Sequence, residues 1–398
     1  MESTGSYQNR LEDLNRLAER IEERRSELAE AAALDAGFPV KVTAQEIGLA
    51  LQHLRSMEEE IPQAPGGRPY GTVAAIFPYD ASPIMLARMG GSAILTGNRL
   101  RFSFSSFTQR TARVIADISS PFEALEPLVG QNNREFGSRC VNDPSVRVLF
   151  ISGGSEVGEV YRSRHRAFDK LFFAGPGGMP AAAVFEGADI EAASRFIARR
   201  AFVNGGQYCT TLKKALIHSS IYEAVRDRVL ESVRTMKVGD PLEADTEIGP
   251  IRVERTRRIV RNAIDKCEGA RMLTGSMEGE FIHPLVLEMD SIPDLELFGP
   301  FLALKPFDNP AEAVRELIQT RYGFILTFFG SPPHGAGELF QSHFGMVHDN
   351  PDFLFRPMRL PFGGKKASGW ILERKGDRWY ERDGAFLYSR ELVREEPV

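Results

Sequence analysis

The 398-residue chain has little cysteine and little tryptophan: three of the first, two of the second. Three thiols, Cys140, Cys209 and Cys267, are sparse and odd in number. That excludes a disulfide framework and points to a reducing compartment, the cytoplasm being the simplest. A surplus of one charge is missing too. Lys and Arg number 49 against 54 Asp and Glu, a net charge of -5, so no basic field draws the chain to nucleic acid. No apolar run approaches a bilayer span. The opening M-E-S-T-G-S-Y-Q has no basic-then-apolar leader. The seven histidines are scattered without metal-ligand spacing, and no Ser-His-Asp set stands out.

What is present describes a globular chain, 42% apolar and 26% charged, too long for one ordinary core and suited to two domains. Leu11, Leu14, Leu17, Ile21 and Leu28 recur near helical spacing and predict one helix over 10–36, stopped by Gly37-Phe38-Pro39. A second helix is expected from about Thr43 to Glu59. Gly66-Gly67 then open a different texture. G-T-V-A-A-I-F-P (71–78) reads as a buried strand. I-L-T-G-N-R-L-R-F (94–102) reads as helix end, turn and strand, and V-R-V-L-F-I (146–151) as a strand followed by a Gly turn. Further strands are expected at 181–185, 215–218, F-L-A-L-K-P-F and F-I-L-T-F-F, and helices from Ile190, over 221–234 and over 254–269. Short strands alternating with helices make this an α/β chain with mostly parallel sheets. Arg195, Arg199 and Arg200 read as a solvated helix face. The imperfectly alternating tail at 384–393 reads as an edge strand.

Cys209 lies in F-V-N-G-G-Q-Y-C-T-T (202–211), directly after a Gly pair. A thiol presented on such a turn can act as a nucleophile. Backbone N–H groups near a helix start would lower its pKa and hold a developing oxyanion. Cys140 and Cys267 lack such a setting and read as structural.

Four stretches occur in order: F-V-N-G-G-Q-Y-C, K-V-G-D-P-L-E-A-D-T-E-I-G-P (237–250), E-L-F-G-P (296–300) and P-F-G-G-K-K-A-S-G (361–369). In these the chain resembles the aldehyde dehydrogenase superfamily, from about Leu11 onward, as a divergent and shortened member. The resemblance implies a two-domain fold with a Rossmann-type nucleotide domain, an α/β catalytic domain and a C-terminal oligomerisation strand. Residues 1–177 would form the dinucleotide-binding domain with a small part of an oligomerisation flap. Residues 178–367 would form the thiol domain, and 368–398 would return to the nucleotide domain and flap. By the same resemblance Cys209 attacks an aldehyde carbon, a thiohemiacetal forms, its hydride passes to NAD or NADP, and a thioester remains for water or coenzyme A. A homodimer is implied, with a tetramer open.

The departures are as informative as the matches. In F-P-Y-D-A-S-P, Asp80 stands where the family's Asn donates to the oxyanion, and a carboxylate there repels negative charge unless protonated. Gly175 stands where a Glu activates the deacylating water. Ser103 replaces the Lys that holds the adenosine ribose, and Ser106 an acidic partner. Phe77, Pro78, Gly153, Gly154 and Ser155 border the expected cofactor cleft. Glu296 matches a residue that binds the nicotinamide ribose, and Phe298 one that packs near the ring. Tyr79 and Phe362 would line the substrate site; Arg88 reads either as a partner for a carboxylate or as a solvated charge. Aromatics at 353–356 would wall its mouth. Lys237, Gly239, Asp240, Pro241 and Gly249 read as architecture. Three functions stay open: NAD(P)-linked aldehyde oxidation, acyl transfer to an acceptor such as coenzyme A, and a non-catalytic assembly role.

Overall fold

The computed structural model describes residues 6–153, 155–164, 169–266, 269–353, 362–382 and 392–394. Two seven-stranded sheets organise them. The apolar run read from the sequence forms Thr72–Phe77 at the centre of the first sheet, where every residue but Ile76 is buried. Arg99–Phe104 and then Leu125–Leu128 add in parallel on one side, and Val146–Gly153 and Leu171–Pro176 in parallel on the other. The chain therefore starts in the middle and winds outward both ways. A crevice opens where the direction reverses, at the carboxyl ends of Thr72–Phe77 and Val146–Gly153, the usual ligand position in such sheets. Trp370–Lys375 and Arg378–Arg382 close that sheet antiparallel.

The second sheet runs Met346–Asp349, Ile325–Phe329, Ala181–Val184, Lys214–His218, Phe301–Phe307, Leu285–Glu288 and Arg271–Thr274. All its pairings are parallel except the last. Its inner strands are mostly β-branched, Ala, Leu and Phe residues, as sheets covered on both faces require, with Lys214, His218, Lys305 and Pro306 among them.

The expected single N-terminal helix is two, Tyr7–Glu23 and Arg25–Ala36, because Arg24 leaves helical geometry at φ -100, ψ 13. Its guanidinium binds Glu27 instead of letting the helix run on. Gly37 ends the pair in the left-handed region. A third helix, Val40–Glu60, is tied to the second half of the chain by the Val40 N–H, which donates to Pro241 O at 2.9 Å. The K-V-G-D-P loop thus holds N-terminal helices against the thiol-bearing half. Leu86–Gly91 forms a turn of π-helix between Ser82–Met85 and Ser92–Thr96 and carries Arg88. Helices Gln109–Ser119 and Asn133–Asn142 and the strand Leu125–Leu128 are elements the sequence reading does not include, although Ala112, Ile115 and Ile118 recur at helical spacing in the first.

Of the tail strand expected at 384–393, residues 384–391 lie outside the described residues. Val393–Arg394 pairs antiparallel with Arg68–Pro69 of the same chain. No described helix is long and apolar enough to cross a membrane. Phe102, fully buried, stacks on Phe77 with centroids 4.5 Å apart under the floor of the crevice. Phe102→Ala is expected to cost about 3–5 kcal/mol in urea unfolding; a loss below about 1 kcal/mol would contradict this packing.

Candidate active site

Cys209 owes its position to a loop that only particular residues can form. After the helix Ile190–Phe202, Asn204, Gly205 and Gly206 take φ of 53, 59 and 68° in succession. Gly206 is required twice over. Its φ favours glycine, and a Cβ there would lie 2.0 Å from Gly299 O. At this crossing the Gly299 N–H donates to Gly206 O at 3.0 Å. Lys213 Nζ, buried, donates to both Gly206 O at 2.8 Å and Gly299 O at 2.7 Å. Arg200 corrects the expectation of a solvated face: it is buried and donates to Thr210 O at 2.6 Å, while Arg195 and Arg199 are exposed. After the cysteine the chain enters the strand Lys214–His218, so no helix start follows the thiol.

The thiol is half-buried and, like Phe362, packs against the cluster of Phe324, Ile325 and Met346, on the wall of a cavity of about 850 Å³. The cavity reaches from this point to the crevice of the first sheet and is also lined by Asp80, Tyr79, Arg88 and Glu296. Asp80 and Cys209 line the same cavity. Asp80 is buried at 6% exposure, and burial pushes its carboxyl up to about 7, with Glu296 adding to the rise. Burial also drives the Cys209 thiol well above its usual range; Asp80 and Glu296 reinforce this, and Arg88 and Arg200 oppose it.

Sequence reasoning missed Glu46. It projects from the helix Val40–Glu60, buried, and accepts the Tyr208 hydroxyl at 2.8 Å on Oε2. Burial pushes it up to about 8. The available signal was an acid at helical spacing with the buried Thr43, Ala50 and His53. Arg88 crosses the face of Phe362 with its guanidinium carbon 4.2 Å from the ring centre.

At the other end of the cavity lie Pro78, Ser152, Gly153 and Gly175. Gly153 is exposed at φ 129°, so its backbone is bare toward the opening. Ser152 Oγ donates to Ile76 O at 2.7 Å, and Gly175 pairs beside Ser152 on the neighbouring strand. Phe77 reaches this wall from the core; Phe102 and Phe104 stay in the core and leave the crevice open. Ser103 is not on the wall. It is buried, and its hydroxyl donates to Asn133 Oδ1 at 2.8 Å. Gly154 lies outside the described residues, and Ser155 begins the helix Ser155–Arg164. Of the aromatics at 353–356, Phe353 packs edge-on to His348 and the others lie outside the described residues, as does Cys267. Glu296 leans over Gly177, where a Cβ would lie 1.4 Å from its Oε1. Phe298 and Phe107 flank Tyr79 at 6.1 and 6.0 Å, and the Tyr79 hydroxyl meets Thr256 Oγ1 at 3.3 Å. The helix Glu254–Lys266 supplies the facing wall, with Arg255, Arg258 and Lys266 exposed along it.

A thiol and a bare glycine turn thus share one cavity between two α/β sheets. The chain belongs to the aldehyde dehydrogenase family, whose model matches residues 3–382. It is an oxidoreductase of a family that oxidises aldehydes with NAD(P). It is 27% identical to 3-sulfolactaldehyde dehydrogenase of Priestia aryabhattai, over 93% of this chain and 83% of that protein. It is 27% identical to sulfoacetaldehyde dehydrogenase of Neptuniibacter caesariensis, over 96% and 88%. The fold matches a solved NADP-dependent enzyme of E. coli with a TM-score of 0.87 at 22% identity, over 98% of this chain and 85% of that one. It also matches the glyceraldehyde-3-phosphate dehydrogenase of Methanocaldococcus jannaschii complexed with NADP, at TM-score 0.83 and 24% identity, over 98% and 89%.

Glu46 holds a proton more tightly folded than unfolded, at about 8 against 4.5. Its contribution to stability is therefore full below the unfolded value and lost as pH rises through the folded one. Melting temperature should fall between pH 5 and 8.5, and Glu46→Gln should flatten that slope; an unchanged slope would place the Glu46 proton elsewhere.

Proposed function

We propose that this enzyme oxidises a small aldehyde carrying an anionic substituent through a covalent adduct on Cys209, with NAD or NADP as hydride acceptor. The observation that carries the reading is the half-buried Cys209 on the wall of a cavity that continues to the bare Gly153 turn. A carbonyl carbon docked against Phe324 and Phe362 meets the sulfur directly.

The anionic substituent follows from the charges on that wall. Arg88 keeps its charge at any working pH and is oriented by Phe362. With Glu46 near 8 and Asp80 near 7, Glu46 is mostly neutral and Asp80 about half so at pH 7. Two relatives are named for sulfonated aldehydes, and a rice relative, 27% identical over 89% of this chain and 72% of that protein, for succinate semialdehyde. All three names describe a short aldehyde ending in an anion.

The residues present fit a dinucleotide. Gly153 leaves its backbone open to a pyrophosphate at the start of the helix Ser155–Arg164. Glu296 and Phe298 face the same space, and Arg255, Arg258 and Lys266 offer charge to phosphates in place of the lysine that Ser103 replaces. When bound, NAD(P) takes up hydride and leaves an acyl group on the sulfur. Gly175 has no proton-accepting group, so release of the acyl group lacks a base at that position. In this reading residues 1–177 and 368–398 serve the nucleotide and 178–367 the thiol, and chains pair as dimers, which sedimentation tests.

Cys209→Ser should lose activity by at least about 1,000-fold with NAD(P) binding intact; full activity in that variant refutes the covalent reading. Arg88→Leu should raise KM for an anionic aldehyde roughly 30- to 150-fold, equivalent to about 2–3 kcal/mol, and leave a neutral one within about threefold. Equal effects on both substrates would remove Arg88 from substrate recognition. Rapid mixing should show a burst of NAD(P)H followed by a slower steady state that an added thiol accelerates. No burst would put the slow step before acyl release.

A further inference from the structure

We propose that Glu46 is a positioning residue for the nucleophile: its carboxyl ties Tyr208 to the helical segment that carries Arg88 and so sets the direction in which the Cys209 sulfur meets the carbonyl carbon. The inference rests on the Cys209 reading above and deepens it.

Three pieces of chain meet at this one side chain. Glu46 stands on the helix Val40–Glu60 and is buried at 3% exposure. Its Oε2 accepts the Tyr208 hydroxyl at 2.8 Å, an ordinary length for such a bond. Its Oε1 accepts the Ile84 N–H at 3.4 Å, a longer contact. Ile84 lies in the first turn of Ser82–Met85, where a backbone N–H has no partner inside its own helix. That helix runs directly into the π-helical turn Leu86–Gly91 and Arg88. One carboxyl therefore spans the residue bonded to Cys209 and the element that bears the cation.

The loop is held differently from its own half of the chain. Lys213 grips Gly206 O at 2.8 Å, Arg200 grips Thr210 O at 2.6 Å, and Thr211 Oγ1 donates to Tyr208 O at 2.7 Å. These bonds fix main-chain carbonyls within the thiol-bearing half. They do not fix the loop against the N-terminal elements, and the Tyr208 hydroxyl does. Tyr208 lines the cavity and is only partly buried, so a phenol without an acceptor is free to swing into the space a substrate needs. An apolar side chain at position 46 would fill the same room and give that phenol no direction. With the anion of a substrate on Arg88, the sulfur must lie at a set distance and angle from it. A misplacement of about 1 Å costs on the order of 100-fold in rate.

The test is steady-state turnover of succinate semialdehyde, with NAD and with NADP, on wild type, Glu46→Ala, Glu46→Gln, Tyr208→Phe and the Glu46→Ala/Tyr208→Phe double variant. The stoichiometry of NAD(P) binding counts folded sites in each. Glu46→Ala and Tyr208→Phe should each lower kcat about 10- to 100-fold per folded site, with KM within about threefold. The double variant should be no slower than the worse single one, because both break the same bond. Glu46→Gln keeps the length and an oxygen acceptor and should return kcat to within about fivefold of wild type. Should Glu46→Ala fail to fold, Tyr208→Phe removes a single oxygen and carries the test with Glu46→Gln. A kcat within twofold of wild type in Tyr208→Phe overturns the proposal. So do losses that multiply in the double variant, and so does a Glu46→Gln as slow as Glu46→Ala, which would make the carboxyl a proton carrier. Failure of the Cys209 reading shows differently: Cys209→Ala would keep turnover, and the aldehyde would leave no mass adduct on Cys209 of wild type.

Discussion

A single buried amine sets where this enzyme can do chemistry. Lys213 Nζ donates to Gly206 O and Gly299 O at the point where the cysteine loop crosses the E-L-F-G-P turn. Two carbonyls converge there with almost no space between the chains, as the 2.0 Å from a Gly206 Cβ to Gly299 O shows. Without a donor between them they would repel. The cost is visible in Lys213 itself, whose burial lowers it to about 7. The crossing couples the thiol and the turn bearing Glu296 and Phe298 into one unit, so neither can shift without the other.

From that clamp the rest of the site follows by short links. With Gly206 fixed and Arg200 gripping Thr210 O, the three residues between can only bring Tyr208 and Cys209 against the N-terminal elements. There Tyr208 finds Glu46, and Cys209 comes to line the same cavity as Asp80. Two acids, a thiol and a phenol are thus buried together, and burial raises all four. Burial thus favours the protonated form of Glu46 and Asp80 near pH 7. That leaves the permanent charge of Arg88 as a strong local influence on what enters.

The repeating elements of this fold were legible because their signals are local. The run at 71–78, the Gly37 stop and the helix from Ile190 needed only apolar periodicity and turn chemistry, and each lies within a residue or two of its expected place. Cys209, Asp80, Glu296 and Phe298 were legible from motif order. What escaped depended on distant partners. Arg200 reads as one more arginine on a charged helix until Thr210 turns back over it. Glu46 looks like a helix acid until Tyr208, 162 residues later, covers it. Ser103 matched a cofactor position by alignment, but its hydroxyl is spent on Asn133, from a helix with no sequence signal. The break at Arg24 was invisible because the leucine periodicity continues through it.

The three departures that made the sequence unusual share one structural location. Asp80 follows the end of Thr72–Phe77. Ser103 pairs with Ile76 at the end of the neighbouring strand, and Gly175 pairs with Ser152 at the end of Leu171–Pro176. All lie near the carboxyl edge of one parallel sheet, Asp80 and Gly175 on the crevice wall and Ser103 turned away from it toward Asn133. Exchange there alters chemistry without loosening Val73, Ala75 or Phe102 beneath. The changes also compensate one another in kind. Loss of a base at 175 coincides with gain of a titratable carboxyl at 80, and loss of a cation at 103 coincides with Arg255, Arg258 and Lys266 on the opposite wall. The sheet is the fixed part of the enzyme, and its carboxyl edge is where these exchanges fall.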